Sequence, residues 1–201
     1  MANPVVANIM KSGAVMWYAP AGEAEPDETT IDFGDAWGGN WARVGFTKAA
    51  LVFAYEDERA EIMVEEHLGP LDEWRISEHA RFETTLAELE ADYLALMTEG
   101  TVTNTAAGAS QDGYEELPVG GTALLTKRAW GIEGLHVNAA GESQPMRLFI
   151  ARGTAKLNGT LEFSKKTDDY TGMPILIQSL ADNANSGRMF KFQRVTAEKT
   201  S

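Results

Sequence analysis

Three histidines, His67, His79 and His136, are the side chains best suited to hold a metal or move a proton near neutral pH. They fall in separate segments, and none has the His-x-x-x-His or His-Glu spacing that puts two ligands on one face, so they read as surface or strand residues. Gly120 and Gly121 precede Lys127 without the Gly-Lys-Ser/Thr ending that cradles phosphates, which leaves a turn entering a strand. The run Asp182-Asn-Ala-Asn-Ser-Gly187 is rich in oxygen donors. Its third position is Ala184, however, and no glutamate follows at loop position twelve, so it reads as a hairpin turn rather than a calcium loop. Asn158-Gly-Thr160 matches a glycosylation acceptor, a match with meaning only behind a secretory signal. Cysteine is absent, which removes disulfides, thiolate metal sites and a cysteine nucleophile together. Carboxylates are plentiful, but nothing singles out two of them as an acid and base pair. The expectation is a chain that performs no catalysis and takes no cofactor or metal.

The charge is more informative than the motifs. The formal net charge is -13, and such a surface does not bind nucleic acid by neutralising phosphates, a mode that needs clustered Lys and Arg. Residues 1 to 120 hold 6 basic and 23 acidic side chains, and residues 121 to 201 hold 11 basic and 7 acidic, so the two parts carry -17 and +4. Opposite signs on two regions suit a subunit that meets copies of itself head to tail. The N-terminus has no basic region ahead of its apolar residues and no apolar stretch long enough to span a bilayer, so the expectation is a soluble protein made in a cytoplasm.

The elements that would position these residues are mostly strands in a single domain over residues 1–201. Gly13 to Ala19 alternates as a strand. From about 19 to 40 runs an acidic stretch with no Lys or Arg, carrying Glu23, Glu25, Asp27, Glu28, Asp32 and Asp35 beside the apolar anchors Ile31, Phe33 and Trp37. It reads as an arm able to dock on a neighbouring subunit. Trp41 to Thr47 and Ala49 to Tyr55 read as strands, and Glu56 to Arg59 as a charged turn. Arg59 to Glu66 and Glu73 to Leu86 read as two alternating strands that pair across Gly69-Pro70. The Thr85-Leu-Ala-Glu88 pattern resembles a capping box, and leucines at helical spacing predict one helix over about 86–98. A flexible loop follows over about 101–117. Residues 121–130, 132–139, 145–153, 155–164, 174–180 and 188–195 then read as short strands. The fold class is therefore mainly β, an antiparallel sandwich or partial barrel with one packed helix.

The order of features resembles a family. Trp41-Ala-Arg-Val-Gly-Phe-Thr47, Val52-Phe-Ala-Tyr-Glu-Asp-Glu58, Ile62-Met-Val-Glu-Glu66, and Phe82-Glu-Thr-Thr-Leu-Ala-Glu-Leu89 with its helix are similar to the major tail tube proteins of siphophages. The resemblance covers about residues 1 to 100 as sequence and residues 120 to 195 only as a strand series. It implies hexameric rings, stacked head to tail by loops and arms, with a continuous inner β-barrel to which every subunit contributes strands. It also implies a location in the virion tail, after assembly in the host cytoplasm. The implied partners are other copies of the chain, a tape-measure protein, and terminator and distal tail proteins, with DNA passing through the lumen unbound.

On this reading Glu61, Glu65, Glu83 and Glu162 are candidates to face the lumen, where carboxylates repel the phosphate backbone. Glu23, Glu25, Asp27, Glu28, Asp32, Phe33, Asp35 and Trp37 form the inter-subunit arm, and Lys127, Arg128, Lys165 and Lys166 are its basic counterparts. A tube of a contractile tail or secretion system shares this logic. A capsid-decorating or glycan-binding β-sandwich, stacking ligands on Trp17, Trp37, Trp41, Trp74 or Trp130, is the more distant alternative.

Overall fold

In a computed structural model of the chain, residues 13–26, 31–121, 124–138, 141–161 and 172–196 are described. The strands are β1 (Val15–Pro20), β2 (Ala42–Arg43), β3 (Val52–Ile62), β4 (Asp72–Leu86), β5 (Thr103–Thr105), β6 (Tyr114–Glu116), β7 (Arg128–Val137), β8 (Ser143–Leu157), β9 (Met173–Ser179) and β10 (Lys191–Arg194). One α-helix, α1 (Ala91–Thr98), lies between β4 and β5. Mainly β structure with antiparallel pairing and, among the described residues, a single α-helix agrees with the sequence pattern.

The main sheet runs β2-β1-β7-β8-β9-β4-β3, with β10 paired to β8 off this path. β8 changes partner along its length: Met146–Phe149 pair with β10, and Gly153–Leu157 pair with β9. The change falls at a register shift opposite Arg128 and Trp130, where Gly153 has no room for a side chain, since a Cβ would sit 2.9 Å from the Gln178 carbonyl. The sheet therefore curls around its core. Met16, Trp130, Ile132, Ile150, Ile175, Ile177 and Phe82 come together from five strands, and Leu96 and Met97 of α1 join them. Phe53 of β3 meets Phe190, just ahead of β10, at 4.9 Å between ring centroids, and Tyr55 meets it at 5.4 Å.

Residues 31–41 cover the opposite face of β1, β7 and β8. Trp37 stacks on Trp17 at 5.2 Å, meets Trp41 edge-on at 5.0 Å and touches Phe149 at 5.4 Å. Gly131 lets Trp37 lie directly on the sheet, because any Cβ there would collide with the indole. Beside it, Arg147 and Glu133 are cross-strand neighbours, both essentially inaccessible, joined at 2.7 and 2.9 Å. Arg147 also donates to the Ile31 carbonyl and Glu133 accepts from the Gly34 amide, both at 3.0 Å. The ion pair thus ties the covering segment to the strands.

Several boundaries differ from the sequence expectation, each for a tertiary reason. Gly131 does not divide two strands, because it serves close packing within β7. Residues 145–153 and 155–157 are one strand carried through the Gly153 shift, and residues 162–164 lie outside the described residues. The charged stretch Glu56 to Arg59 is not a turn. It is the middle of β3, held extended by ion pairs from Glu56, Asp57 and Arg59 to β4. The helix begins at Ala91, not near Leu86, which is fully buried at the end of β4. The Thr85 carbonyl is engaged by the Lys48 amide at 2.7 Å, so sheet pairing overrides the capping-box pattern, and Glu90 at the N-cap makes no side-chain cap. Only Ala42–Arg43 of the Trp41 to Thr47 stretch is strand, and the 101–117 loop contains the small β5–β6 hairpin.

Removing one member of a buried ion pair leaves the other uncompensated, so Glu133→Ala is expected to lower the unfolding free energy by about 3–5 kcal/mol. Urea denaturation monitored by tryptophan fluorescence measures it. A change within about 0.5 kcal/mol, the range of ordinary surface substitutions, would contradict the bolting role given to this pair.

Candidate assembly interface

β3 and β4 form a long hairpin supported at only one end. β9 pairs with Arg81 to Leu86, and the Ala80 amide donates to Ser179 Oγ at 3.3 Å. Beyond that point, among the described residues, Asp72 to His79 pair with β3 alone. Eight residues at strand rise project the ribbon about 26 Å past its support.

A bulge sorts the side chains of this ribbon. The register shifts at Glu58/Arg59, where Ile76 has no partner, so the parity of β4 reverses halfway along. One face carries Phe53, Tyr55, Phe82 and Ala80 near the support, then Asp57, Arg59, Glu61, Glu73, Arg75 and Glu78 further out. The other carries Val52, Glu83, Arg81, Glu56, His79, Ser77 and Glu58, then Ala60, Trp74 and Ile62. The sequence alternation placed Trp74 with Ala80 and Phe82; the bulge puts it on the opposite face.

The lumen candidates are therefore not one set. Glu61 and Glu83 lie on opposite faces, Glu65 lies past the end of β3, and Glu162 lies outside the described residues.

Ion pairs hold the ribbon extended. Arg59 reaches Asp57 at 2.8 Å and Glu73 at 2.7 Å, while Arg75 reaches Asp57 at 3.3 Å and Glu78 at 2.9 Å. Tyr55 Oη donates to Glu78 at 2.8 Å. On the other face, Arg81 spans Glu56 and Glu83, each at 2.9 Å. The hydrogen bond from Arg59, assisted by Arg75, holds the Asp57 carboxyl below its ordinary value against a smaller desolvation effect. The bond to Glu78 pushes the Tyr55 hydroxyl up. From Val52 to Leu86 there are ten carboxylates against three arginines, a net -7. Exposed among them are Met63, Leu68, Leu71, Trp74 and Ile76, an unusual density of large apolar groups for a strand pair facing water.

Among the strand edges left open within the described residues are the outer side of β3 and, second, the Thr154–Leu157 end of β8, which pairs with β9 but extends past β7. Sequence reading missed the second edge, because partner exchange within one strand leaves no mark on alternation.

The arm is engaged within its own chain. Trp37 is buried against Trp17 and Phe149 and is not available as an anchor for a neighbour. Glu23 accepts from the Asn40 amide at 3.2 Å and its side chain at 2.8 Å, and Trp41 Nε1 donates to the Ala24 carbonyl at 2.7 Å. Glu25 pairs with Arg188 at 3.2 Å and with Lys191. Asp32 and Asp35 are exposed, Phe33 is half-buried, and Asp27 and Glu28 lie outside the described residues. Of the basic counterparts, Lys127 is exposed, Arg128 binds Glu99 at 3.2 Å in its own chain, and Lys165 and Lys166 lie outside the described residues. The carboxylate that finds cations, Glu25, thus finds Arg188 and Lys191 instead. Glu99 is held below its ordinary value although burial opposes it, by hydrogen bonds from Thr126 and Arg128.

Sites for chemistry are sparse among the described residues. No group of three His, Cys, Asp or Glu side chains could hold a metal, and no helix is long and apolar enough to cross a membrane. His67 and His79 are exposed, and buried His136 places Nε2 2.7 Å from the Val195 carbonyl. A cleft of about 370 Å³ is lined by Glu23, Glu25, Trp41, Asp182 and Arg188, but the internal bonds of its carboxylates already occupy them. No protein-family model matches the chain, and no curated protein matches it in sequence.

The depressed Asp57 value fixes a sign. A carboxylate held below its ordinary 3.8 adds stability that is present above that pH and lost as pH falls through the lower folded value. In a carboxyl-carbon NMR titration, Asp57 is expected to titrate below free aspartate and to move back up in Arg59→Ala. A midpoint unchanged by that substitution contradicts the network.

Proposed function

We propose that this chain is the structural subunit of a phage tail tube, polymerising as stacked hexameric rings around a conduit for viral DNA and catalysing nothing. The observation that carries the reading is the order β3-β4-β9 and the end of β8, a four-stranded arc open at both sides. Each pair in the arc is antiparallel, so its first and last strands run in opposite directions. A second copy can add its β3 to the β8 end of the first and continue the antiparallel ladder without a break. Repetition by rotation closes such a head-to-tail contact into a ring in which these two edges meet each other.

Six copies, the number the resemblance implies, give a wall of four strands each. At about 4.8 Å per strand the circumference is roughly 115 Å and the diameter about 37 Å, before strand tilt widens it. The face of the arc bearing Phe53, Phe82 and Ile177 is taken by the core, which leaves the opposite face for the channel. That face carries Glu56, Glu58 and Glu83, outnumbering Arg81 and Lys156. An acidic wall lets a polyanion slide, where a cationic groove would hold it by counterion release. Glu83 stays among the lumen residues on this reading, and Glu61 leaves them. A tape-measure protein inside the growing tube, terminator and distal tail proteins at its ends, and the virion tail as its place follow from the same resemblance.

Light scattering and negative-stain electron microscopy over a concentration series test the proposal. Rings or stacked rings with a central channel are expected. A compact monomer at every concentration would overturn it.

A further inference from the structure

Across the arc of strands, Val52 pairs with Glu83, Glu83 with Leu176 and Leu176 with Lys156, one row on the face assigned to the channel. The residue at which this row enters β3 of the next copy sets the register of the joint, and the backbone restricts the choice. The Ala80 amide turns to β9, where it meets Ser179 Oγ. In the antiparallel alternation Arg81 and Glu83 therefore turn their amides and carbonyls to β3, and Tyr55 and Asp57 turn theirs to the open edge. The Asn158 amide donates to the Pro174 carbonyl at 3.0 Å and the Leu180 amide to the Arg152 carbonyl at 2.8 Å. Even-numbered residues of β8 thus face β9, and Ala155 and Leu157 turn their backbone groups to the other open edge. Odd-numbered residues of the two edges must meet, so the row shifts only by an even number of residues.

Chirality gives the direction of the shift. Val52 and Glu56 point into the channel with their backbone groups turned to β4, so L-residue geometry sets β4, β9 and β8 to the right of an upward β3 seen from the channel. Strand twist has one hand and inclines the strands of a closed barrel one way, so a row crossing the arc climbs toward the C-terminal end of the next β3. Inclination gives the size. At about 3.4 Å per residue and about 4.8 Å per strand, shifts of two, four and six residues over four strands incline them by about 20°, 35° and 47°. Closed barrels stand at about 35–45°, which selects four.

We infer that in the ring Lys156 of one copy lies opposite Glu56 of the next, with Thr154 opposite Glu58. The inference rests on the ring reading above and adds the register of its joint. An unshifted row would set the exposed Lys156 against Val52, and a shift of two against Ala54; the shift of four brings it to a carboxylate. Arg81 already bridges Glu83 and Glu56, so Lys156 extends an alternating line of charges from one copy into the next. The joint also ends where the ribbon bends. At this register Arg59 would come opposite Gly153, which pairs with Arg128 of β7, and the bulge lies at Glu58/Arg59, so the outer ribbon turns away where β7 takes over. An inclination of about 35° widens the wall from about 37 to about 45 Å in diameter.

The absence of cysteine makes the register directly testable. Residues opposed at an antiparallel position without hydrogen bonds come within disulfide reach, and residues two places off do not. Within one chain β9 and β4 separate Thr154 from β3, so any such disulfide joins two copies. Three chains carrying Thr154→Cys together with Glu56→Cys, Glu58→Cys or Ala60→Cys are assembled and oxidised. A ladder of linked subunits is expected from the Glu58→Cys chain, with little product from the other two. Rings that link best through position 56 or 60, or through none of the three, would overturn the inference and leave the ring reading standing. In a second arm, Lys156→Glu should raise the concentration at which rings form by about two- to fivefold, and adding Glu56→Gln should recover most of the loss. An unchanged threshold in Lys156→Glu, or no recovery, would overturn the inference. Failure of the unmodified chain to form rings at all would overturn the ring reading and this inference together.

Discussion

A two-stranded ribbon has no core of its own, and the β3–β4 hairpin extends past the last strand that supports it. Hairpins of this kind are marginal in water unless a third strand or a packed layer joins them. The chain answers part of the problem with ion pairs. Arg59, Arg75 and Arg81 bridge carboxylates along and across the strands, which keeps the ribbon extended without burying its surface. Exposed pairs of this type add little energy and set geometry more than stability. They leave Trp74, Ile76 and the tip leucines in water, and the outer edge of β3 open. A long open edge with large apolar neighbours is a hazard in a protein meant to remain alone. It is an asset in one meant to join copies of itself.

The rest of the molecule is built the opposite way. Around β1, β7 and β8 both faces of the sheet are covered, one by the core and the other by residues 31–41. Glu133 and Arg147 give up water entirely and recover it through each other, the Ile31 carbonyl and the Gly34 amide. The acidic segment expected to reach a neighbour is thus spent, at Trp37, Glu23 and Glu25, on closing its own subunit. In the proposed assembly, what is left for neighbours lies in the ribbon and the β8 end. The covered sheet stays within one copy, and the open ribbon meets the next.

Local alternation was legible in the residues, and the exceptions to it were not. The run from Arg59 to Leu86 reads as paired strands because its alternation is strong. Which residues share a face depends on one extra residue, Ile76, and a bulge leaves no compositional trace when the bulged residue is itself a good strand former. The Thr85 to Glu88 pattern promised a helix start, and the Lys48 amide, beside the Thr47–Leu86 bridge, took the Thr85 carbonyl first. The buried ion pair did leave a sign: Glu133 lies between Ile132 and Leu135 and Arg147 between Met146 and Leu148, and charges within such apolar runs are buried only when paired. The second open edge left none, since β8 exchanges partners through a glycine that reads equally well as a break.

The central claim is that β3 and the end of β8 await each other across copies. Hydrogen exchange compared between dilute and assembled protein examines it most directly. The account predicts that amides in Val52–Ile62 and in Thr154–Leu157 slow together on association, while those of β7 from Arg128 to Glu133, already paired with both β1 and β8, change little. Association that leaves both segments exchanging as fast as in the isolated subunit would contradict it.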